Sequence, residues 1–441
     1  MSFARENVED LQLEAESVGS VEKLNRFSQN IIICCDHLDF LHSSIDHEKK
    51  QIKLRALKDI LEDLRTQNVA LPDRVVQHLF EMIKSNIVRG LPITQEECTA
   101  LDSKRVISFM TSDALKSEEL NVEAAWSHLR LVYKILIRYL KSSGTSSIIA
   151  LKYVNQNLIS LLLQRFDSGH AKLPGSLRKT IYNIYRRFVV YRSFIRKSLK
   201  DIFHEFVCDT QKHNGISDLL EVLGAIISGL SEPLKEEYRL VLTSVLIPLH
   251  KPKCMGMYNE QLAYCITEFL NKDRELAEPV IRGLLRYWPE KSSQRELFFL
   301  EELEEILMFT QHVEFSRRVQ QLARRLQKCL SSSNYLVAVR ALILWENESF
   351  VWLFSESKRE IVQIYSPVVD QNANCHWHVA VKNLSLNLRN IFGILPAFKR
   401  HYDAKRANWL LNVMCENQLK VRAIWESLEL NFLNSSSWAK F

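Results

Sequence analysis

Apolar residues recur at steps of three and four along most of this chain. The clearest stripe runs through residues 123–141, where Trp126, Leu129, Val132, Tyr133, Leu136, Tyr139 and Leu140 share one face. That spacing predicts an amphipathic helix. The helical pattern begins near Asn25 and rarely stops. No alternation of period two is long enough to predict a sheet. Residues 91–121 are polar, hold Pro92 and lack a clear period, so they read as a loop with at most short helical pieces.

The second half predicts helical pairs over 216–250, 258–288, 293–330, 335–369 and 374–400. The breakers between or within them are Gly215, Pro233, Pro252 with Gly256, Asp273, Pro289, the Ser331–Ser333 run and Pro367. A further helix is expected past residue 400, carrying Trp409, Leu410, Val413 and Met414. Each pair occupies roughly 30–40 residues, near the ~40-residue period of HEAT-type repeats. One helix pair cannot bury both of its apolar faces, whereas stacked neighbours cover them in series. The expected fold class is all-α, a right-handed α-solenoid of HEAT-like helical repeats. Its expected limits are an acidic, flexible tail over 1–23, the solenoid over 24–430 and a loose tail over 431–441.

Composition sharpens this. Only 11 Gly and 10 Pro occur in 441 residues, less than half the usual share of roughly 12%. That leaves little material for barrels or phosphate-gripping loops. The nine cysteines include no Cys-x-x-Cys pair, which suits thiols in a reducing compartment better than a disulfide framework. The acidic N-terminus has no apolar core of a signal peptide, and no run approaches 18 apolar residues. Cytoplasm or nucleus is the expected location, with no membrane insertion.

Candidate chemistry is sparse. Gly224 and Gly229 have half the spacing of a P-loop, but no Lys-Ser/Thr pair follows. His376 and His378 flank Trp377 without further ligands at metal spacing, so no metal and no cofactor are expected. Residues 177–200 hold eight Lys or Arg, no acid, and interleaved Tyr182, Tyr185, Phe188, Tyr191 and Phe194. That run reads as a packed helix pair with basic outer faces, as a groove for acidic or phosphorylated peptides, or as a phosphate-binding nucleic-acid surface. The net charge of +6 does not favour the last.

Several long stretches, in one order, resemble the B-prime regulatory subunits of protein phosphatase 2A. They are "LRKTIYNIYRRFVVYRSFIRKSLKDIFHEF", "HNGISDLLEVLGAIISGLSEPLKEEY", "IPLHKPKCMGMYNEQLAYCITEFLNKDRELAEPVIRGLLRYWP", "FLEELEEIL", "VAVRALILWENE" and the His376–Trp377 pair. Upstream, "EAAWSHLRLVY" at Glu123–Tyr133 and the Cys34–Phe40 segment also match. The resemblance covers about residues 24–430. It implies a non-catalytic chain that joins a scaffold subunit and a catalytic subunit, which itself carries the metal ions. It further implies a groove for Leu-x-x-Ile-x-Glu motifs of client proteins, with no nucleic acid involved.

By this resemblance the groove comprises Tyr182, Asn183, Tyr185, Arg192, Val222, Ile226, Lys235 and Tyr238. Arg192 would hydrogen-bond the peptide, Tyr185 would contact it, and Val222 and Ile226 would receive apolar anchors. Lys235 would favour acidic positions at the rim. Three positions depart from the family. Tyr182 and Asn183 stand where a His-Arg pair is usual, and Tyr238 replaces a histidine. Losing one charge-assisted bond of about 1.5–3 kcal/mol weakens binding about ten- to hundredfold. Glu118, Glu119, Glu301, Glu302, Glu304 and Glu305 would form acidic, partner-facing surface, although Lys116 dilutes the first cluster. The alternative is a helical-repeat adaptor of another complex that no longer binds the phosphatase; a third, an enzyme in its own right, has no motif behind it.

Overall fold

In the computed structural model the described residues are 22–36, 38, 47–66, 71–88, 112–142, 147–168, 172–210, 212–310, 315, 318–355 and 357–392, with side chains from 125 onward in the fourth helix. They contain helices and turns and no strand. The chain divides into two compact units, Met1–Ile226 and Ile227–Phe441.

The first unit holds α1 (22–35), α2 (His47–Thr66), α3 (Asp73–Val88), α4 (Ser112–Lys141), α5 (Ser147–Tyr153), α6 (Gln156–Gln164), α7 (Pro174–Arg187), α8 (Arg192–Glu205) and most of α9 (Ile216–Ser228). Helix α4 packs between α2 and α7 and also touches α3. The predicted stripe explains this: Trp126, Leu129, Val132, Tyr133, Leu136, Tyr139 and Leu140 are all buried. Helix α4 starts earlier than expected, at Ser112, so residues 112–121 are helical and not a loop. No Gly or Pro lies between Pro92 and Gly144, and Ala114, Leu115, Glu118 and Glu119 are good helix formers.

The second unit holds α10 (Glu236–Val241), α11 (Asn259–Lys272), α12 (Ala277–Tyr287), α13 (Ser293–Phe309), α14 (Val319–Leu330), α15 (Tyr335–Ile343), α16 (Glu348–Ser355), α17 (Lys358–Cys375) and α18 (379–392). Helix α13 packs on α11, α12, α15 and α16, and α14 packs on α12, α15 and α17. Each layer thus covers the next in chain order, as an α-solenoid requires. Side-chain contacts repeat at the expected period: Arg318 to Glu278 at 2.7 Å, Gln320 to Glu360 at 2.9 Å and Arg340 to Glu304 at 2.5 Å, with sequence separations of 40, 40 and 36. Two expectations need correction. The 335–369 segment forms three helices, because Asn347 caps α16 by accepting from Ser349 N at 3.0 Å. Pro367 lies inside α17, which continues to Cys375. Trp345 anchors this end, with ring centroids 5.0–5.4 Å from Phe350, Phe354, Tyr365 and Phe392.

Few glycines are needed because polar side chains start the helices. Asn155 accepts from Leu158 N at 3.0 Å ahead of α6, Asn334 from Leu336 N at 3.0 Å ahead of α15, and Asp273 from Glu275 N at 3.1 Å. Helix ends are handled from outside. The last carbonyls of a helix have no partner within it, and here a donor from another helix takes them. Arg138 donates to Leu64 O at 3.1 Å and Arg65 O at 3.2 Å, closing α2. Arg165 closes α3 at Val88 O. Arg187 donates to Tyr139 O, Leu140 O and Ser142 O at 3.0, 2.7 and 3.2 Å, closing α4. Buried Lys53 and half-buried Asn86 do the same for α1, at Asp36 O (3.0 Å) and Cys34 O (3.1 Å). In the second unit Arg295 takes His250 O at 2.8 Å, and Asn372 takes Leu330 O at 2.9 Å.

Arg187→Ala removes three bonds at once, leaving Tyr139 O only the Ser142 backbone N–H at 3.3 Å, and a charged hydrogen bond contributes about 1.5–3 kcal/mol. Denaturant unfolding is expected to show a loss of at least ~2 kcal/mol, against less than ~0.5 kcal/mol for exposed Lys200→Ala.

Candidate functional site

The resemblance places most of the groove on α7, α8 and α9. Two of those side chains, Tyr185 and Arg192, form one cluster with Arg196. The chain turns sharply after α7, through Val189–Tyr191, and α8 starts at Arg192. Arg192 reaches back over the end of α7, donating from Nε to Tyr185 O at 2.9 Å and from Nη2 to Arg186 O at 3.3 Å. Its guanidinium also lies 5.3 Å from the Tyr185 ring centroid. Arg196, one turn on, donates to the Tyr185 hydroxyl at 3.3 Å. Arg192 thereby uses two of the five guanidinium N–H groups and is held in one direction. Sequence reading did not single out Arg196 for this site; its i, i+4 relation to Arg192 was the available signal.

Asn183 is turned inward. It is buried and its Nδ2 donates to Lys179 O at 2.6 Å, one turn back on α7. It therefore presents no charge, unlike an arginine. Tyr182 is half-buried. Val222 and Ile226 share a face of α9, but they are only 2% and 3% exposed, within a stretch buried throughout from Val222 to Ile227. As folded, both side chains are packed in and do not form an open apolar wall. In the second unit, Lys235 is exposed at the start of α10, and its carbonyl accepts from Tyr238 N at 3.0 Å; Tyr238 is half-buried.

The expected acidic surface is smaller than the run of glutamates suggested. At 100° per residue, four acids in five positions cannot share one face. Glu301 and Glu305 are exposed. Glu304 is drawn to Arg340 and accepts from Asn347 Nδ2 at 3.1 Å. Glu302 is 4% exposed and faces the core, which corrects its assignment to the surface. Its position was legible: Phe299, Glu302, Leu303 and Ile306 occupy the buried i, i+3, i+4, i+7 stripe of α13. The side chains of Glu118 and Glu119 lie outside the described residues.

Glu302 is matched by His250, which is itself fully buried. The His250 Nε2 lies 3.0 and 2.9 Å from the two Glu302 oxygens, and Nδ1 lies 2.8 Å from Ile247 O. The Ile247 carbonyl only accepts, so Nδ1 donates to it, while Nε2 faces both carboxyl oxygens of Glu302. Burial alone would depress the histidine pKa. The Glu302 charge and hydrogen bond, helped by the Ile247 carbonyl, outweigh burial and raise it.

The two histidines of the other candidate lie beside aromatic rings, with Trp377 itself exposed. Tyr335 stacks on His378 at 4.1 Å, and the His376 and Trp377 rings are 5.7 Å apart. Among the described residues no three His, Cys, Asp or Glu side chains converge as a metal site. No disulfide joins the described cysteines, three of which are buried (Cys34, Cys265 and Cys329). Gly224 lies within α9 and Gly229 just past its end, a helix terminus and not a nucleotide loop.

The whole chain also has relatives. The family described as "Protein phosphatase 2A regulatory B subunit (B56 family)" matches residues 12–430. The chain belongs to this B56 family. It is 39% identical over 415 residues to the B' eta isoform of the 59 kDa phosphatase 2A regulatory subunits of Arabidopsis thaliana, covering 94% of this chain and 79% of that one. The Arabidopsis 57 kDa B' theta isoform is 39% identical over 422 residues, covering 94% and 82%. The B' kappa isoform of Oryza sativa subsp. japonica is 37% identical over 421 residues, covering 94% and 79%. The resemblance seen in the motifs is thus a family membership, and the family is regulatory, not catalytic.

For this B56 chain the buried pair makes stability depend on pH. Folded His250 holds its proton more tightly than the unfolded residue, so unfolding releases it. The pair's contribution is complete below about pH 6.5, the unfolded histidine value, and is lost as pH rises through the higher folded value. Denaturant midpoints measured from pH 6 to 8 are expected to fall more steeply for wild type than for His250→Gln. Glu302→Gln strands a buried charge and is expected to cost about 3–5 kcal/mol at pH 6.

Proposed function

We infer that this chain is the substrate-selecting member of a three-chain protein phosphatase 2A, where a scaffold chain holds it next to the catalytic one. The observation that carries this is the B56 match over 12–430, almost the whole chain. The architecture supports it. Stacked helices provide long surfaces for other proteins, and none of the candidate catalytic motifs became a site.

The chain selects clients by short acidic segments anchored by Leu and Ile, with Arg192, Tyr185 and Arg196 taking the acidic end. What supports this is the fixed guanidinium of Arg192, with three N–H groups left for a carboxylate. Inward-turned Asn183 and buried Val222 and Ile226 make the preference differ from that of relatives with arginine at position 183. The outward pair Glu301 and Glu305 remains as acidic surface for a partner, and within the second unit exposed Lys235 and half-buried Tyr238 remain contacts offered by the resemblance. The chain works in cytoplasm or nucleus, in keeping with cysteine spacing that holds no Cys-x-x-Cys pair, without binding nucleic acid. No helix among the described residues is long and apolar enough to cross a membrane.

Affinity capture of the tagged chain from cells is expected to recover scaffold and catalytic subunits of the phosphatase in equal amounts. Recovery of neither, with other partners instead, would establish the adaptor reading. In a peptide-binding titration, Arg192→Ala is expected to weaken an acidic Leu/Ile-anchored peptide about tenfold or more, and Asn183→Arg to strengthen it. No wild-type binding at high micromolar peptide would overturn the groove.

A further inference from the structure

Charge is distributed very unevenly along the sequence. Residues 124–200 hold fifteen Lys or Arg and a single acid, Asp167, a balance of +14 in a chain whose total is +6. Several of these cations are occupied. Arg138, Arg165 and Arg187 close helix ends, Lys152 pairs with Asp73 at 2.6 Å, and Arg178 pairs with Asp218 and Glu221. Arg130, Lys134 and Lys141 are not; among the described residues none of them makes an ion pair.

These three belong to the outer edge of α4. From Ala125 to Lys141 the positions not buried are Ser127, Arg130, Leu131, Lys134, Arg138 and Lys141. The edge is therefore a cationic stripe at spacings of four, four and three, about 16 Å long at 1.5 Å per residue. Helices α2 and α7 pack on either side of α4 and bring Arg65 and Lys179 close to it. On α2, Glu62 pairs with Arg65 at 3.4 Å and Asp63 with Arg26 at 3.3 Å, and α7 carries no acidic residue. Burial, then the charges of Arg130, Arg65 and Lys179, lowers the Lys134 pKa. Burial, then Lys141, Arg178 and Arg130, does the same to Lys179. Like charges crowded on a half-buried edge weaken the fold, a cost that a ligand of opposite charge removes.

We propose that the α4 stripe of Arg130, Lys134 and Lys141, flanked by Lys179, docks an extended Asp/Glu-rich segment of a partner protein. The shape selects this occupant. The stripe is linear, which matches successive carboxylates along an extended chain better than one compact phosphate. It carries no aromatic side chain, so single-stranded nucleic acid has nothing to stack on. Its one apolar member, Leu131, is half-buried and gives a lipid surface little to take up. Arg130, Lys134 and Lys141 lie on α4, whereas Tyr185, Arg192 and Arg196 lie on α7 and α8, so the two sets share no side chain.

The test titrates the full chain with a fluorescein-labelled Glu-rich peptide, with its Gln-for-Glu counterpart, single-stranded RNA and phosphatidylserine vesicles as separate arms. The Glu peptide is expected to bind, to weaken as salt rises, and to lose about tenfold in affinity in Arg130→Glu/Lys134→Glu. The Gln peptide is expected not to bind. Thermal unfolding of that variant is expected at the same or a higher midpoint, since repulsion is relieved. Equal binding of both peptides, unchanged affinity in the variant, or binding of RNA or vesicles in place of the peptide would overturn the proposal. Capture of the phosphatase subunits is followed in parallel. A chain that assembles but ignores the peptide defeats the stripe alone, and one that binds the peptide but does not assemble defeats the phosphatase reading alone.

Discussion

Each helix end in this chain is a small electrostatic problem, and the fold depends on how it is solved. The terminal carbonyls of α2, α3 and α4 are satisfied by Arg138, Arg165 and Arg187, at sequence separations of 74, 77 and 48 or less. A guanidinium suits this work because it is flat, always charged, and donates in several directions at once. It also sits at the negative end of the helix dipole. The bond fixes where one helix stops relative to another that lies dozens of residues away. Apolar faces hold helices together with little directional preference; these caps set their register along the axis.

That division of labour explains what could be read from sequence. The stripe from Trp126 to Leu140 is a repeating pattern within one helix, so it was visible, and so were the breakers at Gly215, Asp273 and Pro289. The caps are pairings between distant positions and leave no local pattern. Arg138 and Arg187 look like surface charge until their targets are known. The first ten residues of α4, 112–121, are polar enough to look irregular, yet helix formers run unbroken through them. Pro367 looks like a breaker in sequence, yet it lies inside α17, which packs on α14 and α16.

The site shows the same split. Family motifs located Arg192 and Tyr185, and the structure joins them through the α7 terminus. Motifs could not reveal that Asn183 bonds back to its own helix, or that Val222 and Ile226 are covered. The glutamate run misled because charge was counted without phase: Glu302 falls on the apolar stripe, where Nε2 of His250 faces both of its carboxyl oxygens. A buried ion pair of this kind is a weak source of net stability but a strict one. Removing either partner leaves a charge that the core cannot solvate.

Helical layers, arginine caps and membership of a regulatory family converge on a chain that organises other proteins' chemistry. The most direct measurement is phosphate release from two phosphopeptides, one with and one without an acidic Leu/Ile-anchored segment. It is made with the purified chain alone, with purified scaffold and catalytic subunits, and with all three. The account expects no release by the chain alone, and a rate for the anchored peptide that rises over the other only when all three are present. Release by the chain alone, or equal rates for the two peptides in the complete mixture, would contradict it.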